Sequence, residues 1–219
     1  MPRVPTSCFA SRRRERIAAD PVVPWMSDPP RQFSDALLQT VDLLESLQIS
    51  WVIFGAVAVG IWGRIRSTLD VDFMVLTDDA GLASIEAGAA LAGVPVDRQW
   101  LEWNPRRQGI QMRLMLDPFR ADVVRATSAH DQAAVERRRR VDWLGRPLWV
   151  VSPEDLLLQK LVAQRDYDLT DAVSIVEEQR GQLDEAHLGE WASRLGVEQE
   201  LAYVLGGGTF DFGDSRPTR

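Results

Sequence analysis

Two aspartates, Asp70 and Asp72, stand one residue apart in the run Thr68-Leu69-Asp70-Val71-Asp72-Phe73. In a strand, side chains alternate, so both carboxylates share one face and Val71 and Phe73 turn to the other. Like charges that close raise each other's pKa unless a cation neutralises them, and the doublet therefore invites a divalent metal ion. All-oxygen ligation favours Mg²⁺, which takes one or two protein carboxylates and completes its shell with water and substrate phosphates. A solvated acidic pair at a strand end is the competing reading, and Asp-Val-Asp by itself leaves both open. Upstream, Gly55-Ala56 forms a small-residue turn opening an apolar helix. Small residues let backbone amides approach a triphosphate, and a helix N-terminus favours anions. Gly55 and Ala56 are thus candidate nucleotide-binding positions, and Asp70 and Asp72 candidate catalytic metal ligands.

Holding these groups requires a sheet. Residues 51–54 read as a short buried strand entering the Gly55-Ala56 turn, with a helix through about Trp62 and a second strand over 71–76. Two further strands, 110–116 and 119–124, join through Asp117-Pro118 as a hairpin. Phe33, Leu37, Val41, Leu44 and Leu47 recur at helical spacing ahead of the first strand. Asp78 and Asp79 can cap a helix running through Leu91. A helix over 132–139 is expected to end in the run Arg137 to Arg140, where cations favour the C-terminal dipole. Residues 141–151 form a hairpin around Gly145-Arg146-Pro147, and Ser152-Pro153-Glu154-Asp155 is a helix start with a Ser cap, an early Pro and acids at the positive end. Helices over 171–179, 184–195 and 197–205 follow. The expected fold class is α+β, a mixed β-sheet core flanked by helices with a helical C-terminal extension. The organisation is a disordered, Pro- and Arg-rich leader over 1–30, a core over 31–151, a helical region over 152–205 and a flexible tail over 206–219.

Composition narrows the function classes. With 45% hydrophobic and 26% charged residues in 219, the chain is neither disordered nor collagen-like. A net charge of −7 argues against a dedicated nucleic-acid binder, whose affinity comes from Lys and Arg on phosphates. No window has the roughly 18 consecutive apolar residues of a membrane span, so no membrane partner is expected. Cys8 is the single cysteine, which excludes an internal disulfide and fits a reducing cytoplasm. The leader lacks a signal-peptide core, and a start at Met26 would remove most of it. His130 and His187 are far apart in sequence, without metal-ligand spacing, and read as ordinary polar residues. The tryptophans at 100, 103, 143, 149 and 191 read as packing anchors, with Trp100 and Trp103 near Arg106-Arg107 able to border a cleft.

The segment from Gly55 to Asp72 resembles the nucleotidyltransferase superfamily that includes DNA polymerase beta, and especially its small bacterial members. Gly55-Ala56, Gly63-Arg64, Arg66, Thr68, Asp70 and Asp72 match its motif in order, with Ala56 where a second Gly or Ser is usual. The resemblance implies a third carboxylate on a later strand, matched by Asp122 in Arg120-Ala121-Asp122-Val123-Val124. The run Asp155 to Asp171, with Lys160, Arg165 and Asp168 between, is similar to a segment of AbiEii-type nucleotidyltransferases. Lys160 is also the one lysine among 25 basic residues, and a compact ammonium suits a phosphate contact. A salt-bridge network of Arg165, Asp168 and Asp171 orienting Lys160 is the structural alternative. The resemblance implies Mg²⁺ as cofactor on Asp70, Asp72 and Asp122, an NTP held by Gly55, Ala56, Arg66, Thr68 and Lys160, and transfer of a nucleoside monophosphate to an RNA, protein or small-molecule hydroxyl. It also implies a toxin–antitoxin setting with a small helical partner. A catalytically inactive partner subunit retaining the fold is the second reading.

Overall fold

The computed structural model describes residues 32–165 and 167–206, which belong to one compact unit. The expected leader over 1–30 lies outside the described residues, as does the expected tail except Gly206.

One six-stranded mixed sheet organises the chain, in the order β3-β4-β2-β1-β6-β5. Its strands are β1 (Ser50–Phe54), β2 (Asp70–Leu76), β3 (Gln111–Leu116), β4 (Phe119–Arg125), β5 (Arg139–Trp143) and β6 (Arg146–Val150). β1/β2, β3/β4 and β5/β6 pair antiparallel, whereas β2/β4 and β1/β6 pair parallel. The hairpin of β3 and β4 forms as read, whereas that of β5 and β6 turns at Leu144-Gly145, so Arg146 and Pro147 lie in β6 rather than in the turn. Parallel pairing of β2 with β4 needs a long crossover, supplied by α3 (Asp79–Leu91), the short α4 (Arg98–Trp103) and β3 itself. On one face of the central strands Val71, Phe73, Val75, Ala121 and Val123 are fully buried. Alternation therefore commits Asp70, Asp72 and Asp122 to the other face.

Helix α1 (Phe33–Ser46) buries Leu37, Val41 and Leu44, three of the five residues read from its periodicity. Ser152 caps α6 (Pro153–Ala163) by accepting from the Asp155 amide at 3.1 Å, with Pro153 in the first turn, as its sequence dictates. Helices α7 (Asp168–Glu178), α8 (Glu185–Leu195) and α9 (Glu198–Val204) complete the C-terminal region. Leu156, Leu157, Ile175, Leu188 and Leu201 join the same hydrophobic core as the sheet. α2 (Gly55–Trp62) is tied to them at its end: Trp62 Nε1 donates to the Val151 carbonyl at 2.7 Å, and Gln179 Nε2 donates to the Trp62 carbonyl at 3.0 Å. Among the described residues no helix is long and apolar enough to cross a membrane.

Three local expectations need correction. The helix placed over 132–139 is α5 (Ala129–Glu136), because Ser128 and Asp131 form a capping box that starts it earlier. Arg139 and Arg140 accordingly leave the helix and pair in β5 with Val150 and Trp149. α7 begins at Asp168 rather than Asp171, which puts both acids in its first turn. The two histidines are not isolated: His187 Nε2 lies 2.7 Å and His130 Nε2 3.4 Å from the same Asp155 oxygen.

Candidate active site

β1 ends where the site begins. Phe54 is registered opposite Asp72, and at Gly55 the backbone turns with φ of 65° into α2. Only glycine adopts that left-handed conformation cheaply. A Cβ at Gly55 would also collide with the Asp72 carboxylate, so the turn crosses directly over that side chain. The Ala56 amide donates a hydrogen bond to Asp72. The Gly55-Ala56 turn, expected to bring backbone amides to a triphosphate, therefore lies over the Asp72 carboxylate.

Parallel pairing of β2 and β4 puts Asp72 beside Asp122 and Asp70 beside Arg120. The three acids share a face, as the strand alternation required. Their surroundings differ. Arg113 of β3, opposite Asp122, clasps it through Nε at 2.7 Å and Nη2 at 2.8 Å. That bidentate pairing raises the Arg113 pKa, and the guanidinium is stacked 4.5 Å over the Trp100 ring. Asp70 has the Arg120 Nε 3.3 Å from its Oδ1, yet that buried oxygen makes no hydrogen bond. Asp72 has no contacting cation: burial, then the charges of Asp122 and Asp70, push its pKa up to about 6, against the milder pull of Lys160 and the Ala56 amide.

The remaining expected residues divide into those facing the acids and those bracing them. A cavity of about 220 Å³ opens beside Asp72, lined by Gly55, Ala56, Arg66, Lys160 and one face of α6. Lys160 is 8% exposed and donates to Asp168 Oδ1 at 2.9 Å and Asp171 Oδ2 at 2.8 Å. Arg66 reaches the same Asp171, its Nη2 donating to Oδ2 at 3.4 Å. The structural network weighed as an alternative for Lys160 is thus present, and its ammonium still borders the cavity. The Thr68 hydroxyl donates to the Asp70 carbonyl at 3.0 Å and accepts from the Asp70 amide at 3.1 Å, so it braces the start of β2. Gly63 and Arg64 face α7, where the Arg64 amide donates to Ser174 Oγ at 3.3 Å and its guanidinium pairs with Glu177 at 2.6 Å.

The side chains fit a divalent cation at Asp70 and Asp72. An unbonded carboxylate oxygen at Asp70, and at Asp72 a carboxylate that resists ionisation among like charges, are what an added cation relieves. Asp122 stands in register with them, but Arg113 occupies both its oxygens. Among the described residues no three acidic, His or Cys side chains stand together as a ligand set. Sequence reasoning missed Arg113, although the hairpin register contains it, and missed Gln159, which lines the cavity.

No protein-family model matches the chain, and no curated protein matches it. Solved structures do. The solution structure of the antibiotic-resistance factor ANT(2'')-Ia is similar, with a TM-score of 0.52 and 12% identity, covering 76% of this chain and 95% of that one. The crystal structure of ANT(2'')-Ia with adenylyl-2''-tobramycin gives 0.51 at 13% identity, over 73% and 96% of the two chains. The chain has the α+β fold of the nucleotidyltransferases.

Proposed function

We propose that this chain is a metal-dependent nucleotidyltransferase that moves a nucleoside monophosphate from an NTP to a hydroxyl acceptor. One observation carries the reading: Asp72, hindered from ionising by burial and two neighbouring acids, lies under a left-handed glycine turn that offers it a backbone amide. A solvated surface pair would show neither feature. Asp70 and Asp72 are the residues that hold Mg²⁺. When bound, the ion neutralises the triphosphate and the departing pyrophosphate.

The chain's own groups do the rest. The Gly55 turn, with Arg66 and Lys160 at the cavity, holds phosphate oxygens while the Ala56 amide stays on Asp72, and Thr68 keeps Asp70 in place through the backbone. Asp122, oriented by Arg113, takes the proton of the acceptor hydroxyl or helps bind a second ion. The hydroxyl oxygen bonds to the α-phosphorus as the bond to the β-phosphate oxygen breaks, releasing pyrophosphate. For the acceptor, ANT(2'')-Ia bound to adenylyl-2''-tobramycin supports testing hydroxylated small molecules first, alongside RNA and protein. The AbiEii-like run from Asp155 to Asp171 supports a cytoplasmic toxin–antitoxin setting with a small helical partner.

The test is incubation with labelled NTPs, Mg²⁺ and a cell lysate, reading which molecule becomes labelled. Asp70→Asn and Asp72→Asn should abolish transfer without unfolding the chain, and undiminished transfer would reject their role. The inactive-subunit reading is favoured by one feature, the Arg113 clasp on Asp122. Titration calorimetry with Mg²⁺ and each NTP separates the two, since a degenerate site shows no metal-coupled nucleotide binding.

A further inference from the structure

One face of α6 forms a wall of the cavity beside Asp72: Leu156, Gln159, Lys160 and Ala163, spaced as residues on a single helical stripe. Leu156 packs in the core, Lys160 is held by its ion pairs, and Ala163 is exposed and brings no polar group. Gln159 is not accounted for in this way. Both polar atoms of its amide, Oε1 and Nε2, are buried from water and have no hydrogen-bond partner among the described residues. Native proteins seldom leave a buried side-chain amide unpartnered at both ends, because each group then bears its desolvation cost with no return. Gln159 lines that cavity, so a ligand seated there, with a turn of this side chain toward it, can complete the pair.

An amide presents one donor and one acceptor in a planar fork and carries no charge. That is the wrong chemistry for a phosphate, which offers acceptors only and already has Arg66 and Lys160 nearby. It is the right chemistry for a base edge with one donor beside one acceptor. Glutamine meets adenine in this way, bonding its N6 and N7, while the corresponding edge of guanine offers two acceptors and suits a cation instead. The apolar surface of Ala163 and Phe54 in the same cavity suits the faces of a planar ring. We infer that Gln159 is a specificity-determining residue that reads the adenine base of the nucleotide substrate, making ATP the preferred NTP. This rests on the proposed nucleotidyltransferase reading and adds the identity of the base to it.

The test compares Gln159→Leu with the wild-type chain by titration calorimetry against ATP, GTP, CTP, UTP and 7-deaza-ATP, which lacks N7, all with Mg²⁺. Loss of a bidentate pair predicts a roughly ten- to hundredfold weaker ATP affinity in Gln159→Leu, with little change for the other three bases. Wild type should lose part of that affinity on going from ATP to 7-deaza-ATP, and Gln159→Leu should not. The variant should melt no lower than wild type without nucleotide, because it removes an unpartnered amide; Gln159→Met serves as a second apolar replacement. Equal weakening for all four NTPs, or unchanged ATP affinity, would overturn the inference while leaving the nucleotidyltransferase reading intact. A wild-type chain that binds no NTP would overturn both.

Discussion

Replacing Asp72 by asparagine should make the metal-free protein more stable at neutral pH, even though it removes the group on which the proposed chemistry depends. In the folded chain Asp72 titrates at about 6, against 3.8 for an ordinary aspartate, because burial and then Asp122 and Asp70 disfavour its charge. Each pH unit of displacement is about 1.4 kcal/mol, so ionising this carboxyl in the fold costs roughly 3 kcal/mol. Asp72 is half-buried and water screens part of that, which brings the expectation to about 2 kcal/mol. The sign follows from the raised value. Below 3.8 the group is protonated in both states and the penalty is absent; it grows as pH rises toward 6 and is complete above that. Asparagine is neutral throughout and can still accept from the Ala56 amide. Thermal melts with a chelator present should therefore show Asp72→Asn ahead of wild type by roughly 4–8 °C at pH 7.5, with the gap closing near pH 4. Adding Mg²⁺ should raise the wild-type midpoint and leave the variant unmoved. A difference between the two chains that stays constant from pH 4 to 8 would refute the electrostatic account.

Gly55→Ala combines a left-handed backbone, costing about 1–2 kcal/mol for a residue with a Cβ, with a collision against Asp72. It should lose NTP binding in calorimetry while keeping a cooperative melt. Lys160→Met leaves the buried Asp168 and Asp171 facing each other without their shared ammonium, and denaturant melts should show a loss of about 3–5 kcal/mol. A loss much below 1 kcal/mol would deny the network its bracing role. At Asp155 burial alone would raise the pKa, but the nearby His130 ring and the hydrogen bonds with Ser152 and His187 outweigh it and hold the carboxyl down at about 2. Its contribution, roughly 2 kcal/mol, is present above pH 3.8 and is lost as pH falls toward 2, so Asp155→Asn should flatten the acid limb of the stability curve measured by fluorescence.

The local half of this architecture was legible because it obeys short-range rules. Alternation in the strand set Asp70 and Asp72 on one face, the Ser152-Pro153 pair marked the start of α6, and Gly55-Ala56 marked the turn into α2. Even Arg113 was within reach: a two-residue link between Leu116 and Phe119 fixes the hairpin register, and counting back three residues on each arm sets Arg113 opposite Asp122. What the sequence did not disclose is long-range. Parallel pairing of β2 with β4, which puts Asp122 beside Asp72, leaves no turn signal, because the strands are separated by two helices and β3. The meeting of His130 and His187 on Asp155 joins α5, α6 and α8, three elements whose mutual placement no spacing rule specifies. The proposed phosphate role of Thr68 met a similar limit, since motif order cannot tell a hydroxyl aimed at substrate from one bonded to its own strand.

The distribution of cations around the acids explains why these long-range pairings matter to the chemistry. Arg113 clasps Asp122, Arg120 stands near Asp70, and Lys160 spans Asp168 and Asp171 with Arg66 against the latter. Each of those basic groups comes from a different element from the acid it serves, so the compensation exists only in the assembled fold. Asp72 alone is left without a contacting cation, beneath the glycine turn and beside the cavity. The carboxylate left without a contacting cation is also the one that a backbone amide and an open cavity reach. Asp70 and Asp72 are thus the residues that would hold a divalent ion, which would supply the positive charge that no side chain brings to Asp72.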